Sequence, residues 1–170
     1  MSCIFRVCGD NLDIDSLLSI VGLQPDRVWR RGEPRRKNNP KSTRHEWSGA
    51  TFAASGADFS EFDLQVEDAT RFLEDNYQDI LTMVTFEGVE DLRLDFGVEF
   101  RDVAIHGDFL PNHFLRAAGN AGVSVLLSHY PCSEEDNQSE QAGAGQPATR
   151  SESKSEGNQN PKPETEERSR

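Results

Sequence analysis

Long apolar runs are missing from this chain, and the longest stretches reach only a few residues, far below the roughly 20 needed to span a bilayer. The N-terminus meets Arg6 and then Asp10, so no apolar core of signal-peptide length is present. Cysteine is scarce. Cys3, Cys8 and Cys132 are too few for a disulfide framework, and Cys3 and Cys8 point to opposite faces of one predicted strand. A reducing compartment, the cytoplasm, is expected. Bases are in deficit: Lys plus Arg number 18 against 30 acids, for a net charge of -12. That excludes a basic, histone-like binder. Residues 132–170 lack Phe, Leu, Val, Ile, Met, Trp and Tyr altogether. They hold nine acids, five bases and otherwise mostly small or polar residues. Such a segment has nothing to bury against the entropy of ordering, so a disordered, acidic, low-complexity tail is expected over 132–170.

What is present lies almost wholly in residues 1–131, which carry 55 of the 59 apolar residues. Cys3–Cys8 reads as a strand with Cys3, Phe5 and Val7 on one face. Asp13 is placed to cap a helix, Leu12 and Leu17 have the spacing of a hydrophobic staple, and Ile14, Leu17, Leu18 and Val21 share a helical face. Gly22 is the expected left-handed stop. Residues 23–44 read as an irregular basic connection. A second strand is expected over Glu46–Phe52, weakened by Gly49.

Two helical stripes follow, Phe62, Val66, Ala69 and Leu73, then Tyr77, Ile80, Leu81 and Val84, with Asn76 as cap between them. Leu92, Leu94, Phe96, Val98 and Phe100 alternate with polar residues or glycine, the mark of a strand with one buried face. A short extended piece is expected at Val103–Ile105. Pro111 opens a helix to about Ala118 with Phe114, Leu115 and Ala118 inward, and Val123–Tyr130 is the last strand. The order is β-α-β, a helical pair, then β-α-β. It predicts an α+β fold, with ferredoxin-like β-α-β units forming one sheet, helices on one face and a helical insertion between the halves.

Gly9-Asp10-x-Leu12-Asp13, Leu23-x-Pro25, Trp29-Arg30-x-Gly32 and Trp47-Ser48, together with the helix near Phe114–Gly119, the Ala121-Gly122 step and the terminal strand, resemble the domain of unknown function 4279 family over about residues 3–131. Lys37–Arg44 departs from the family pattern as an insertion, and Leu110 stands where a polar cap is usual. The resemblance implies a small bacterial cytoplasmic protein and supplies no catalytic residues.

No catalytic set emerges from the residues themselves, so no enzyme and no cofactor are expected. His106 and His113 match no zinc spacing, and His45, His106, His113 and His129 each read as surface or helix-end residues, so no metal ligand is assigned. Asn11, Asp13 and Asp15 begin like a calcium loop, but Ser16 and Gly22 stand where Gly and Glu are required. No phosphate-binding glycine loop or nucleophile elbow occurs.

One feature exceeds background. Between Arg27 and Arg44 lie eight bases and one acid, +7, while the rest of 1–131 carries -15. Trp29 and Trp47 flank this segment, and arginine beside tryptophan can stack through the ring face. Trp29, Arg30, Arg31, Arg35, Arg36 and Trp47 are therefore the candidate binding residues. The expected function is a non-enzymatic protein-binding module, of accessory or immunity type, whose polarity steers a complementary protein partner. The alternative is small-ligand or anion binding through loop 27–44, in a pocket between Trp29, Trp47 and the sheet. Nucleic acid is disfavoured by the surrounding negative charge, and no membrane partner is expected.

Overall fold

The computed structural model describes residues 2–36, 38–100 and 103–131. Lys37, Cys132 and the tail expected to be disordered lie outside the described residues. Nine elements follow one another: β1 (Cys3–Gly9), α1 (Ile14–Ile20), β2 (Arg27–Trp29), β3 (Ser48–Ser55), α2 (Phe62–Asp75), α3 (Tyr77–Thr85), β4 (Asp91–Phe100), α4 (Asn112–Asn120) and β5 (Ser124–Pro131). The fold is α+β, with a five-stranded mixed sheet in the order β2-β3-β1-β4-β5. β1 runs antiparallel to both β3 and β4, and only the β4–β5 pair is parallel. A parallel pair needs a crossover, and α4 supplies it.

Alternation decides which face is covered. Cys3, Phe5 and Val7 on β1, Phe52 on β3 and Leu94, Phe96 and Val98 on β4 are almost wholly buried and join Leu17, Val66, Leu73, Ile80, Met83 and Phe114 from the helices in one core. Phe96 meets Phe62 and Phe114 edge-on, each at 5.6 Å between ring centres. Burial of side chains this large contributes about 1.5–3 kcal/mol apiece. Buried Gln65 ties α2 to the sheet: its amide nitrogen donates to the carbonyls of Asp58 and Gly97.

Several expectations need correction. The segment 23–44 is not wholly irregular, because β2 pairs there with β3 through Arg27–Thr51, Val28–Ala50 and Trp29–Gly49. Gly22 is not a left-handed stop: α1 ends at Ile20, and the Gly22 and Leu23 amides donate to Asp79 Oδ2 at 2.9 and 3.1 Å. A distant carboxylate thus does what a glycine turn would have done. Asn76 heads α3, yet its side chain donates backward to the Phe72 carbonyl at 2.8 Å rather than capping. In α3 the inward residues are Ile80 and Met83, with Val84 exposed, and in α4 Leu115 is exposed. Pro111 precedes α4 as its cap, and Val103–Ile105 forms no strand. Asp13 does cap α1, accepting from the Ser16 amide at 3.1 Å, and Leu12 and Leu17 are both buried.

Candidate functional site

The uncovered face of the sheet carries the opposite alternation: Ile4, Arg6 and Cys8 on β1, Arg27 and Trp29 on β2, Thr51 on β3, and Asp91 and Arg93 on β4. Register aligns them. Arg27 pairs with Thr51, Thr51 with Arg6, Arg6 with Arg93, and Arg93 with Ser124, so one row across the sheet holds three arginines. Like charges directly opposite on antiparallel strands repel. Arg93 is partly relieved, since its Nε lies 2.8 Å from Asp91 Oδ2 as an ion pair, although the N–H does not point along the contact. Arg6 has no acid within ion-pair reach among the described residues; its guanidinium lies over the Trp29 ring, 5.3 Å from the centre.

Gly49 makes this arrangement possible. A Cβ there would come within 2.5 Å of Trp29 Cζ2 and of the Val7 carbonyl oxygen. The glycine that weakens the strand on propensity is the one that lets the indole approach it this closely.

The basic segment folds back over the same face. Gly32, at φ 81°, turns the chain, and the Gly32 amide donates to the His45 carbonyl, the His45 amide to Glu33 and the Arg35 amide to Thr43, at 2.8, 2.9 and 2.9 Å. This antiparallel ribbon lays the His45 ring on Trp29, 5.8 Å between centres and tilted by 27°. The result is a cleft of about 510 Å3 lined by Ile4, Arg6, Arg27, Trp29, Arg35, His45, Trp47 and Thr51. Among the described residues its walls hold three guanidinium groups and no carboxylate. Trp47 also lines a smaller neighbouring cleft of about 210 Å3 with Cys8, Asp91 and Arg93.

Electrostatics agree with a cationic cleft. Burial, and then the charges of Arg27 and Arg35, hold the His45 imidazole below its ordinary pKa, with Arg6 acting in the same direction and Glu33 opposing. Trp29 Nε1 and Arg6 Nε are buried and have no hydrogen-bond partner. Two orphan donors on one wall are unusual, because buried polar groups are nearly always satisfied. Neither described thiol is activated as a nucleophile. Burial first, and then Asp95 and Asp68, push Cys3 up; burial also raises Cys8, whose Sγ lies 3.6 Å from Asp91 Oδ2.

Of the residues singled out in the sequence, Trp29, Arg35 and Trp47 meet on this cleft. The other three do not line it. Arg30 turns away to Asp15, Nε to Oδ2 at 2.8 Å, with Glu33 beside it. Arg31 donates to the Asp10 carbonyl at 3.2 Å, and Arg36 is exposed farther along the ribbon. Sequence reasoning missed Arg6 and His45 and passed over Arg27 as one base of the run. The signal for Arg6 was available: a charged residue between Phe5 and Val7 on a half-buried strand marks the uncovered face.

The family model described as Domain of unknown function (DUF4279) covers residues 1–131, and the chain belongs to that family. Neither the curated proteins nor the solved structures gave a match.

Proposed function

We propose that this member of the family is a non-enzymatic binding module whose uncovered sheet face recognises an anionic group. The charged end of the ligand, a carboxylate or phosphate, sits among Arg6, Arg27 and Arg35, and its apolar part lies against Trp47 and Ile4. One observation carries the reading: three guanidinium groups, of Arg6, Arg27 and Arg35, line one cleft with no carboxylate among its described lining residues. An anion would balance that charge, and arginine forks suit planar oxyanions. The volume of about 510 Å3 falls in the range of small-molecule sites, about 300–1,000 Å3.

A second reading has its own support. Along the ribbon, Arg36 and Lys41 are exposed and have no acid within ion-pair reach among the described residues. An acidic side chain of a protein partner could enter the cleft while those bases meet the partner's surface, as in an accessory or immunity-type module. A cytoplasmic setting in a bacterial cell belongs to the same proposal and is supported by two buried free thiols. For the ferredoxin-like description the parallel β4-α4-β5 unit and the helices gathered on one face speak in favour, whereas β1 and β3 pair antiparallel and form no first β-α-β unit.

Tryptophan fluorescence tests the proposal, because Trp29 and Trp47 both line the cleft. Benzoate, inorganic phosphate and adenosine monophosphate are titrated at low salt. Saturable change with at least one, lost in Arg6→Met, supports a small-anion site. No saturable response to any of the three, with wild-type and Arg6→Met baits recovering the same proteins from lysate, refutes both forms of it.

A further inference from the structure

Away from the arginine cleft, near the opposite edge of the sheet, a second group of side chains converges. His106 and Asp108 lie in the connection between β4 and α4, and His129 lies on edge strand β5. His106 Nε2 is 3.1 Å from Asp108 Oδ1, and His129 Nε2 is 3.0 Å from Asp108 Oδ2. The imidazole rings stand edge to face with centres 5.4 Å apart. In sequence His106 and His113 matched no zinc spacing; in space the partner of His106 is His129.

We propose that His106, Asp108 and His129 bind one divalent transition-metal ion of the kind that imidazole nitrogen and carboxylate oxygen hold together, zinc being the natural probe. One ligand atom from each residue lies within 4.8 Å of the other two. Ligand atoms about 2.0–2.2 Å from a common ion, at ordinary bond angles, stand roughly 3.0–3.5 Å apart. Each imidazole nitrogen already stands at that spacing from one oxygen of the Asp108 carboxylate, His106 from Oδ1 and His129 from Oδ2, so an ion would enter by displacing these two hydrogen bonds. Two imidazoles and a carboxylate leave further coordination positions open, as in metal sites that bind water or a ligand.

The surroundings fit. The Asp108 side chain is only 9% exposed and makes no ion pair with Lys or Arg among the described residues. Its partners among the described residues are the two imidazoles, and a divalent ion held by them would balance the carboxylate. Two apolar side chains of this connection lie open to solvent, Ile105 at 89% and Phe109 at 75% exposure. An ion shared by His106, Asp108 and His129 would fasten it to β5.

Cobalt(II) titration of the full chain, stripped of metal with a chelator, is the test. The expected result is one cobalt per chain, with weak visible bands, no thiolate charge-transfer band, and displacement by zinc. His106→Gln and His129→Gln should each weaken binding by more than the roughly 10–100-fold that loss of a supporting hydrogen bond costs. His45→Gln and His113→Gln should leave it unchanged. Nitrogen NMR of wild-type imidazoles guards against variants that misfold: zinc should shift the His106 and His129 signals and spare those of His45 and His113. No saturable binding, a thiolate band, or zinc shifts confined to other histidines would overturn the assignment.

Discussion

The Arg6 guanidinium rests over the Trp29 ring, 5.3 Å from its centre, while Arg93 occupies the directly opposite position on β4. Attraction to the ring, about 0.5–1 kcal/mol, and repulsion between paired like charges, about 0.2–1 kcal/mol, are of similar size. Arg6→Met should therefore change folding stability by no more than about 1 kcal/mol in chemical denaturation. Affinity for an anion should fall by about 1.5–3 kcal/mol, roughly 10- to 150-fold, because a charged hydrogen bond is lost. Arg30→Ala, whose side chain faces Asp15 instead, should leave affinity unchanged. Equal losses in the two variants would contradict the site.

His45 gives the cleft a pH dependence with a defined sign. Its pKa lies below the ordinary 6.5, from burial first and then from Arg27 and Arg35. A bound anion offsets those positive charges and raises it. Binding should therefore take up a proton, and affinity should strengthen as pH falls through the range below about 6.5. Calorimetry in buffers of different ionisation enthalpy reads the proton directly, and His45→Gln should abolish it. Without ligand, the unfolded chain binds this proton more readily than the folded one, so the contribution of His45 to stability is present above about 6.5 and declines as pH drops.

Gly49→Ala should destabilise the domain by about 1–3 kcal/mol, the usual cost of forcing an extra carbon into a packed place. The added Cβ meets the Val7 carbonyl and the Trp29 ring, each at 2.5 Å, and the backbone cannot yield as a flexible side chain could. A shift in tryptophan emission should accompany the loss of melting temperature. An unshifted spectrum would mean that the indole does not lie where Gly49 admits it.

Phe96→Ala should cost about 3–5 kcal/mol, since Phe96 is wholly buried between Phe62 and Phe114. That is a large share of the 5–15 kcal/mol typical of a domain, and denaturant titration would show it as a lowered midpoint.

The fold was legible where period and burial coincide. Phe5 and Val7, Leu94 and Phe96, and Val66 and Leu73 repeat at strand or helix spacing, and each is buried as the spacing requires. It was illegible where a distant group intervenes. Nothing local says that Asp79 will hold the Gly22 and Leu23 amides, so the glycine read as a left-handed turn. β2 spans only three residues, too few for alternation to register. The cleft was half legible: Trp29, Arg35 and Trp47 come from one run of sequence, whereas Arg6 reaches them only through β1–β3 pairing. His106 and His129 meet because a connection folds onto the edge strand, and spacing rules for metal ligands do not cover that separation.

β5 is the last element of the sheet and pairs with β4 along Arg93–Phe100. Until Ser124–Pro131 has left the ribosome, that side of β4 presents a row of bare amides and carbonyls over eight residues, Leu94, Phe96 and Val98 among them. Such an edge is a template for pairing with another chain. During translation the nascent domain therefore depends on its final strand for protection, and a premature stop before Ser124 would yield a product prone to aggregate rather than a shorter working one.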